Sequence, residues 1–287
     1  MATMSKSLFT SMTDRDFRRL GEFISVRCGI KMPPSKRTML EARVRKRLQF
    51  YGISSFKEYC DYLFSPEGME KEAVHLIDVV TTNKTEFFRE MMHFEYLVQN
   101  ALPELIKASN GLRKKLNIWS AGCSTGEEPY SLAIVLNEFT ERHPALEYKI
   151  IATDVSSRVL DFAKCGIYNE ESIKDIPTHL KKKYFLRSKD KSKCLVKVDR
   201  EIREKVTFRR LNLIEDDYMF KERLDIIFFR NVLIYFDRQD QELVLNRICD
   251  HMQRGGYLFV GHTETLIGLN VPFLEHEASA IYRKKCK

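Results

Sequence analysis

The segment LNIWSAGCSTGEEPYSLAIVL, residues 116–136, constrains the fold of this chain more than any other. Leu116–Trp119 is an apolar run of strand length, residues 121–126 are small, and Glu127–Phe139 repeats its apolar residues at helical spacing. A strand, a tight turn and an amphipathic helix in that order open a parallel sheet covered by helices. The alternation continues downstream. Strands are expected at Leu116–Ser120, Tyr148–Thr153, Val206–Leu211, Leu224–Phe229 and Tyr257–Gly261, with a late strand at Ala278–Arg283. Helices are expected at Glu127–Phe139, Ser157–Cys165 and Arg238–Met252, the last stopped by Gly255-Gly256. Between Ile167 and Lys205 the alternation breaks. A helical piece, Pro177–Phe185, leads into Leu186–Val198, which reads as a hairpin inserted on the sheet domain.

The first hundred residues have a different texture. Helical periodicity covers Asp14–Val26, Arg37–Phe50, Ser55–Leu63 and Glu70–Val79, and nothing there alternates as a strand does. The texture changes after Gly111, so the chain reads as a helical domain, 1–95, followed by an α/β domain, 96–287, with an insertion at about 168–205.

Ligands on open α/β sheets bind beyond the carboxyl ends of the strands. The turn after the first strand carries Gly122 and Gly126, but Ser124 stands where a dinucleotide fingerprint needs its middle glycine. Glu127 and Glu128 follow at the helix start, where carboxylates suit the helix dipole and would repel a pyrophosphate. They either cap the helix or accept a cationic ligand. Asp154 ends the second strand, placed either to bind both hydroxyls of a ribose or to cap the next helix. Together these favour an adenosine-bearing cation over NAD. Asn212-Leu213 and Arg230-Asn231 end two further strands, and an asparagine amide can both donate to and accept from an adenine edge or an amino-acid group.

Five segments carry a resemblance across nearly the whole chain: TTNKTEFFRE (81–90), WSAGCSTGEEPYSLA (119–133), ATD (152–154), LNL (211–213) and FFRNVLIYFD (228–237). In order and spacing the chain resembles the CheR chemotaxis receptor methyltransferases. The resemblance implies an all-α N-terminal domain, then a Rossmann-like S-adenosylmethionine-dependent methyltransferase domain with a small inserted β-subdomain. It implies methyl esterification of receptor glutamates, with S-adenosylhomocysteine as product. Carried over motif by motif, the cofactor residues would be Asn83, Thr85, Arg89, Glu127, Asp154, Asn212, Leu213, Arg230 and Asn231, joined by Gly122 of the turn. No metal ligand is implied.

A glutamate acceptor is ionised near neutral pH, with an unperturbed pKa of about 4.3. It needs no general base, and no His–carboxylate or Cys–His pair is legible. Arg89 suits an orienting role, either on the acceptor carboxylate or on the cofactor, because a guanidinium grips a carboxylate with two parallel hydrogen bonds. Its rival role is an interface salt bridge. Tyr235 is the second catalytic expectation, a hydroxyl donor, with an aromatic packing plug as its rival role. Phe87 and Phe88 are expected to pack rather than stack on adenine, and His93, His251 and His262 to be structural.

The formal net charge of +8 calls for an acidic partner. Arg37, Arg43, Arg45, Lys46 and Arg47 share one helix, read either as a solvated face or as a contact for the receptor's cytoplasmic helices. In the family a receptor C-terminal peptide docks on the β-subdomain by strand addition, and here the hairpin tip Ser188–Lys193 contains no glycine. Seven scattered cysteines without a CxxC pair, and the lack of any signal-length or membrane-length apolar run, lead us to expect a cytoplasmic chain without membrane insertion. Three rival readings are a nucleic-acid methyltransferase, a non-enzymatic S-adenosylmethionine-binding module and an NAD oxidoreductase. The adjacent prolines expected of an adenine amino-methylase are missing from NVLIYF, so no nucleic acid is expected.

Overall fold

The computed structural model describes residues 11–108, 114–215 and 217–286, apart from the side chains of Lys114 and Lys191. The N-terminal residues 1–10 and the change of texture at Gly111 lie outside the described residues. Two compact units divide between Thr82 and Asn83. The division precedes the boundary expected after residue 95, because Phe87, Phe94 and Leu97 belong to the core of the α/β unit.

The helical unit begins with α1, Asp14–Cys28, which opens on a capping box between Thr13 and Asp16 and ends at Gly29 in the left-handed conformation. Helix α2, Arg37–Tyr51, buries Leu40, Val44 and Leu48 as one stripe. Ser55 caps α3, Phe56–Leu63. The helix expected over Glu70–Val79 is instead two, α4 at Pro66–Lys71 and α5 at Ala73–Val80. The break falls at Glu72, whose buried carboxylate accepts from Arg47 Nε at 2.8 Å, Arg47 Nη2 at 2.6 Å and Tyr59 Oη at 2.7 Å. Arg43 donates to the carbonyls of Val80 and Thr81 (2.9 Å for Thr81), capping the end of α5. Arg37 pairs with Asp14, and Arg45 pairs with Glu41 one turn earlier. Four of the five basic side chains on α2 therefore help to hold their own unit together. Arg37 and Arg45 keep 36% and 41% of their side-chain surface exposed, and Lys46 is exposed.

The α/β unit starts with α6, Met91–Tyr96, which runs through a π-helical turn at Leu97–Ala101 into α7, Leu102–Ala108. Strand β1, Lys114–Ala121, follows, then α8 (Glu127–Arg142), β2 (Leu146–Asp154) and α9 (Ser157–Cys165). Next come β3 (Ile167–Asn169), α10 (Thr178–Tyr184), β4 (Phe185–Arg187), β5 (Leu195–Val198) and α11 (Arg200–Glu204). The unit finishes with β6 (Val206–Arg210), β7 (Leu224–Phe229), α12 (Arg238–His251), β8 (Met252–Val260), β9 (Leu274–Ala278) and β10 (Ile281–Lys284).

The central sheet has the order β6-β2-β1-β7-β8-β10-β9. Its first five strands are parallel, and β10 and β9 close the edge antiparallel. Every residue of β7, LDIIFF, is buried, as a central parallel strand covered on both faces requires. The late strand expected at Ala278–Arg283 is thus a hairpin of two strands, turning at Ala280 with φ 57°. Gly255-Gly256 does not end α12 but lies inside β8. A Cβ on Gly256 would stand 2.9 Å from the carbonyl oxygen of Asp225 on the neighbouring strand, so the pair marks a close approach.

The insertion forms a second, three-stranded antiparallel sheet in the order β3-β5-β4. Its tip closes without glycine. Asp190 Oδ1 accepts from the amide and hydroxyl of Ser192 at 3.1 and 2.6 Å, and Cys194 takes the positive φ, 47°.

Candidate functional site

The turn after β1 is held from below by two amides, Gly122 N and Cys123 N, both donating to Thr153 O of β2 at 2.8 and 2.9 Å. Gly122 has φ 78°, and a Cβ there would lie 2.5 Å from Val232 Cγ2, so neither backbone nor neighbour admits a side chain. Ser124, at the position that breaks the dinucleotide pattern, has φ 48°. Its amide donates to Asp154 Oδ2 at 2.9 Å and its hydroxyl to Asn83 O at 3.0 Å. Asp154 is buried, and its second oxygen accepts Ser156 N at 2.9 Å. The carboxylate at the end of β2 thus fixes two loops at once, and Leu211 N donates to Asp154 O at 3.0 Å to bring in the segment carrying Asn212 and Leu213.

Helix α8 starts at Gly126 with no side-chain cap. Glu127 is buried and accepts from Thr125 Oγ1 at 2.7 Å. Burial pushes its carboxyl above the usual carboxylate range, against the opposing pull of that hydroxyl. Glu128 turns the other way, accepting from Ser120 Oγ at 2.7 Å and from Arg230 Nε at 2.8 Å. Neither glutamate is a simple surface cap.

Arg230, at the end of β7, is the most enclosed basic side chain of the site. Its Nη1 donates to Arg89 O at 2.7 Å, contacts Glu90 Oε2 at 3.4 Å and stands 3.0 Å from His93 Nδ1. Its guanidinium also lies over Phe94 and Phe228, 5.5 and 5.4 Å from the ring centroids. His93 must accept from that guanidinium, so its proton sits on Nε2, which has no hydrogen-bond partner among the described residues. Burial, with Arg230 and His262 adding to it, lowers the His93 pKa to about 3. Ligand atoms of Glu90, His93 and His262 lie within 4.8 Å of one another, but the Arg230 guanidinium already faces two of the three groups.

Asn231 follows with φ 59°. Its amide donates to Glu264 Oε2 at 2.8 Å, and its side-chain nitrogen lies 3.4 Å from Glu90 Oε1. Tyr235, half-buried, sits in the 3-10 turn Leu233–Tyr235 that comes next. Arg89 is half-buried, donates to Lys84 O at 3.1 Å and makes no ion pair among the described residues. Thr85 lies between Lys84 and Phe87 in the same segment and is half-buried. Phe87 packs edge-on against Tyr168 and Phe185, with centroids 4.9 and 5.4 Å away, and Phe88 N donates to Ser131 Oγ at 2.9 Å.

Hydrogen bonds therefore link Asn83 to the turn and to Asp154, link Arg89 to Arg230, and tie Asn231 to Glu90. Sequence reasoning weighed Glu128 at the helix start without naming it among the cofactor residues, read His93 as structural, and missed Glu264 altogether. Glu128 carried a signal, since an acidic residue inside a helix start this apolar has to find a partner. Glu264 carried none beyond following a strand end by a few residues.

The distribution of buried charge is the site's main electrostatic feature. Glu127, Glu128, Asp154 and Glu264 are all buried at the carboxyl ends of β1, β2 and β8, and Arg230 is the only buried lysine or arginine among the described residues. Such a surplus of buried carboxylates is costly unless a cation completes it.

Comparison with known proteins identifies the family of both units. Residues 83–281 match the model of the CheR methyltransferase SAM-binding domain, and residues 15–81 match that of the CheR all-alpha domain. A chemotaxis protein methyltransferase of Borreliella burgdorferi is 36% identical over 280 residues, covering 97% of each chain. Chemotaxis protein methyltransferase 2 of Pseudomonas aeruginosa is 37% identical, over 89% of this chain and 88% of that one. The Escherichia coli chemotaxis protein methyltransferase is 35% identical, over 92% and 88%. Built as a helical unit followed by an S-adenosylmethionine-binding α/β unit, this chain belongs to the CheR methyltransferase family.

Proposed function

We propose that this chain methylates glutamate side chains on the cytoplasmic helices of a chemotaxis receptor, using S-adenosylmethionine. The observation that carries this reading is the buried acidic surplus at the strand ends, faced by one buried arginine. A carboxylate-rich site suits an adenosine that bears a positive charge and argues against a pyrophosphate.

The residues fit that ligand. Asp154, ordered by the amides of Ser124 and Ser156, holds the ribose hydroxyls. Glu127, without a counter-ion among the described residues and raised in pKa by burial, has more to gain from a cation than a paired carboxylate would. Gly122 lets the turn close against Val232, Asn83 and Thr85 close one side, and Asn212-Leu213 and Arg230-Asn231 line the remaining strand ends. Because the Nε and Nη1 atoms of Arg230 already hold internal partners, its contribution comes through its backbone and through fixing the segment around Arg89.

When bound, S-adenosylmethionine supplies an activated methyl on a sulfonium. The chain's own residues do the rest. An acceptor glutamate arrives ionised, so the enzyme removes no proton and needs no base. Arg89, free of ion pairs among the described residues, grips the acceptor carboxylate with its forked donors, and the Tyr235 hydroxyl completes its orientation. Alignment and exclusion of water are then the main contributions to rate.

Receptor contact falls to the basic groups of α2 that keep exposed surface, Arg37, Arg45 and Lys46. Arg43 and Arg47 contribute by shaping the helix that carries them. A receptor C-terminal peptide would add a strand at an edge of the β3-β5-β4 sheet. Among the described residues no helix is long and apolar enough to cross a membrane, and the reading puts the protein on the cytoplasmic side, where those receptor helices lie.

The test is transfer of labelled methyl from S-adenosylmethionine to receptor-containing membranes, followed by mild base. Label released as methanol, and lost with Asp154→Ala or Arg89→Ala, is the expected result. Base-stable label, or label on nucleic acid, would overturn the glutamate reading. Cofactor binding with no transfer to any acceptor would leave a binding module in its place.

A further inference from the structure

Glu264 is buried, lies three residues beyond Gly261 at the end of β8, and has no part in the cofactor residues named above. Its Oε2 accepts Asn231 N at 2.8 Å and Gly261 N at 2.6 Å. Burial raises the carboxyl pKa of Glu264, and nearby backbone amides, those of Gly261 and Asn231 first, oppose that rise. A single oxygen therefore joins the carboxyl ends of two adjacent parallel strands, and the turn it holds begins with Asn231 and ends with Tyr235.

The close approach is built into the backbone. A Cβ at position 261 would lie 2.5 Å from Asn231 Nδ2 and 2.9 Å from Glu264 Oε2, so only glycine lets the three groups meet. Asn231 itself takes φ 59°, in the left-handed region that asparagine tolerates better than most non-glycine residues. Glu264 fixes it there by accepting the Asn231 amide. Its Oε1 has no hydrogen-bond partner among the described residues, so the burial of this side chain is not explained by an ion pair.

We propose that Glu264 is a positioning residue for methyl transfer, pinning the start of the Asn231–Tyr235 turn to the end of β8 through the amides of Asn231 and Gly261, so that Asn231 and Tyr235 face the reacting groups together. This rests on the methyl-transfer reading given above. Glu264 touches neither cofactor nor acceptor; it acts through the turn.

Two substitutions separate this role from bulk stability. Glu264→Ala removes the acceptor, whereas Glu264→Gln keeps one carbonyl oxygen for the amides. Labelled-methyl transfer at saturating cofactor should fall by about tenfold or more in the alanine variant and stay within about threefold in the glutamine variant, as loss and retention of a buried acceptor predict. Combined with Tyr235→Phe, Glu264→Ala should be non-additive, because both changes act on the same turn. Native-state amide exchange at residues 231–235 should quicken in Glu264→Ala and not in Glu264→Gln. If the alanine variant does not fold, Glu264→Asp, which keeps the charge but withdraws the oxygen by one methylene, should show the same loss and the same exchange.

Additive effects with Tyr235→Phe, unchanged exchange at 231–235, or an alanine variant within about twofold of the parent would each overturn the inference. Amide exchange is read without turnover. If the parent protein itself transfers no methyl, the methyl-transfer reading fails, while exchange still decides whether Glu264 holds the turn.

Discussion

Each unit of this chain encloses an arginine against a carboxylate, and the two clusters are built to different ends. In the helical unit Arg47 meets Glu72 with two hydrogen bonds, and Tyr59 completes the same carboxylate. The charges balance one to one, and both oxygens of Glu72 are used. In the α/β unit Arg230 faces Glu128, Glu90 and His93 at once, with Glu127, Asp154 and Glu264 also buried at the strand ends. There the acids outnumber the base, His93 Nε2 and Glu264 Oε1 have no partner among the described residues, and three separate segments converge. A balanced buried pair fixes which way a helix packs. An unbalanced one leaves charge for a ligand to complete.

The largest effect expected from this contrast is on stability. Glu72→Ala strands the half-buried Arg47 guanidinium and the Tyr59 hydroxyl, and should destabilise the helical unit by about 3–5 kcal/mol, the usual result of removing one member of a buried pair. Denaturant unfolding measures it. Affinity for S-adenosylhomocysteine, read by calorimetry, should stay near the parent value. Arg230→Ala should cost comparable stability and also abolish tight cofactor binding, since it releases Glu128 and the segment at Arg89. A Glu72→Ala protein that folds but binds cofactor as poorly as Arg230→Ala would break the distinction between the two clusters.

A smaller effect comes from geometry alone. Gly122→Ala should cost about 1–3 kcal/mol, the range for a residue forced into an unfavourable backbone region, and should weaken cofactor binding. Part of that cost is the clash with Val232, whose Cγ2 would lie 2.5 Å from the new Cβ. Adding Val232→Ala should recover the steric part and leave the φ 78° part. If the double variant is no better than the single, the clash is not the cause.

Glu127 sharpens the comparison further, because it predicts a conflict between stability and function. Burial raises its pKa in the folded state, so any stabilisation from its protonated form is present below its unfolded pKa and is lost as pH rises through the folded value. Glu127→Gln removes that dependence. Its stability relative to the parent should therefore increase with pH across that window, reaching parity or a gain of about 1 kcal/mol at neutral pH, by chemical denaturation from pH 4 to 8. Cofactor affinity should meanwhile fall about tenfold, as expected for loss of a charge-assisted contact. A variant that gained stability and kept full affinity would remove Glu127 from the site.

His93 has the opposite sign. Its pKa is depressed to about 3, so its contribution is fully present above the unfolded value of about 6.5 and is lost progressively as pH falls towards 3.

Much of this architecture was legible because it rests on local pattern. The run Leu116–Trp119, the small turn and the helix after it specify β1, the turn that follows it and α8 without reference to distant residues. Likewise Leu40, Val44 and Leu48 are spaced for one face, and one face is what they bury. What escaped depends on long-range partners. The hairpin of β9 and β10 looked like one strand because its turn at Ala280 contains neither glycine nor proline. Gly255-Gly256 looked like a helix stop, since nothing local says that the neighbouring strand's backbone lies against it. The break between α4 and α5 is set by Glu72 reaching Arg47, twenty-five residues away in the chain. In the site, the strand-end residues followed from the rule for open sheets, while the Arg230–His93 contact spans 137 residues and has no local signature.

The smallest expected effect lies at Lys46, and it tests whether the basic helix has a role beyond its own fold. Arg43 caps α5 and Arg47 holds Glu72, so replacing either confounds receptor contact with stability. Lys46 is exposed, and Lys46→Ala should change unfolding free energy by less than about 0.5 kcal/mol. If α2 steers the enzyme to an acidic receptor face, the same variant should lower kcat/KM for receptor a few-fold at low ionic strength, by about 1 kcal/mol or less. That deficit should vanish at several hundred millimolar salt, where the screening length drops below about 8 Å. A deficit independent of salt would mean a specific contact instead of steering. No deficit at any salt would confine the basic side chains of α2 to the structural work that Arg43 and Arg47 already do.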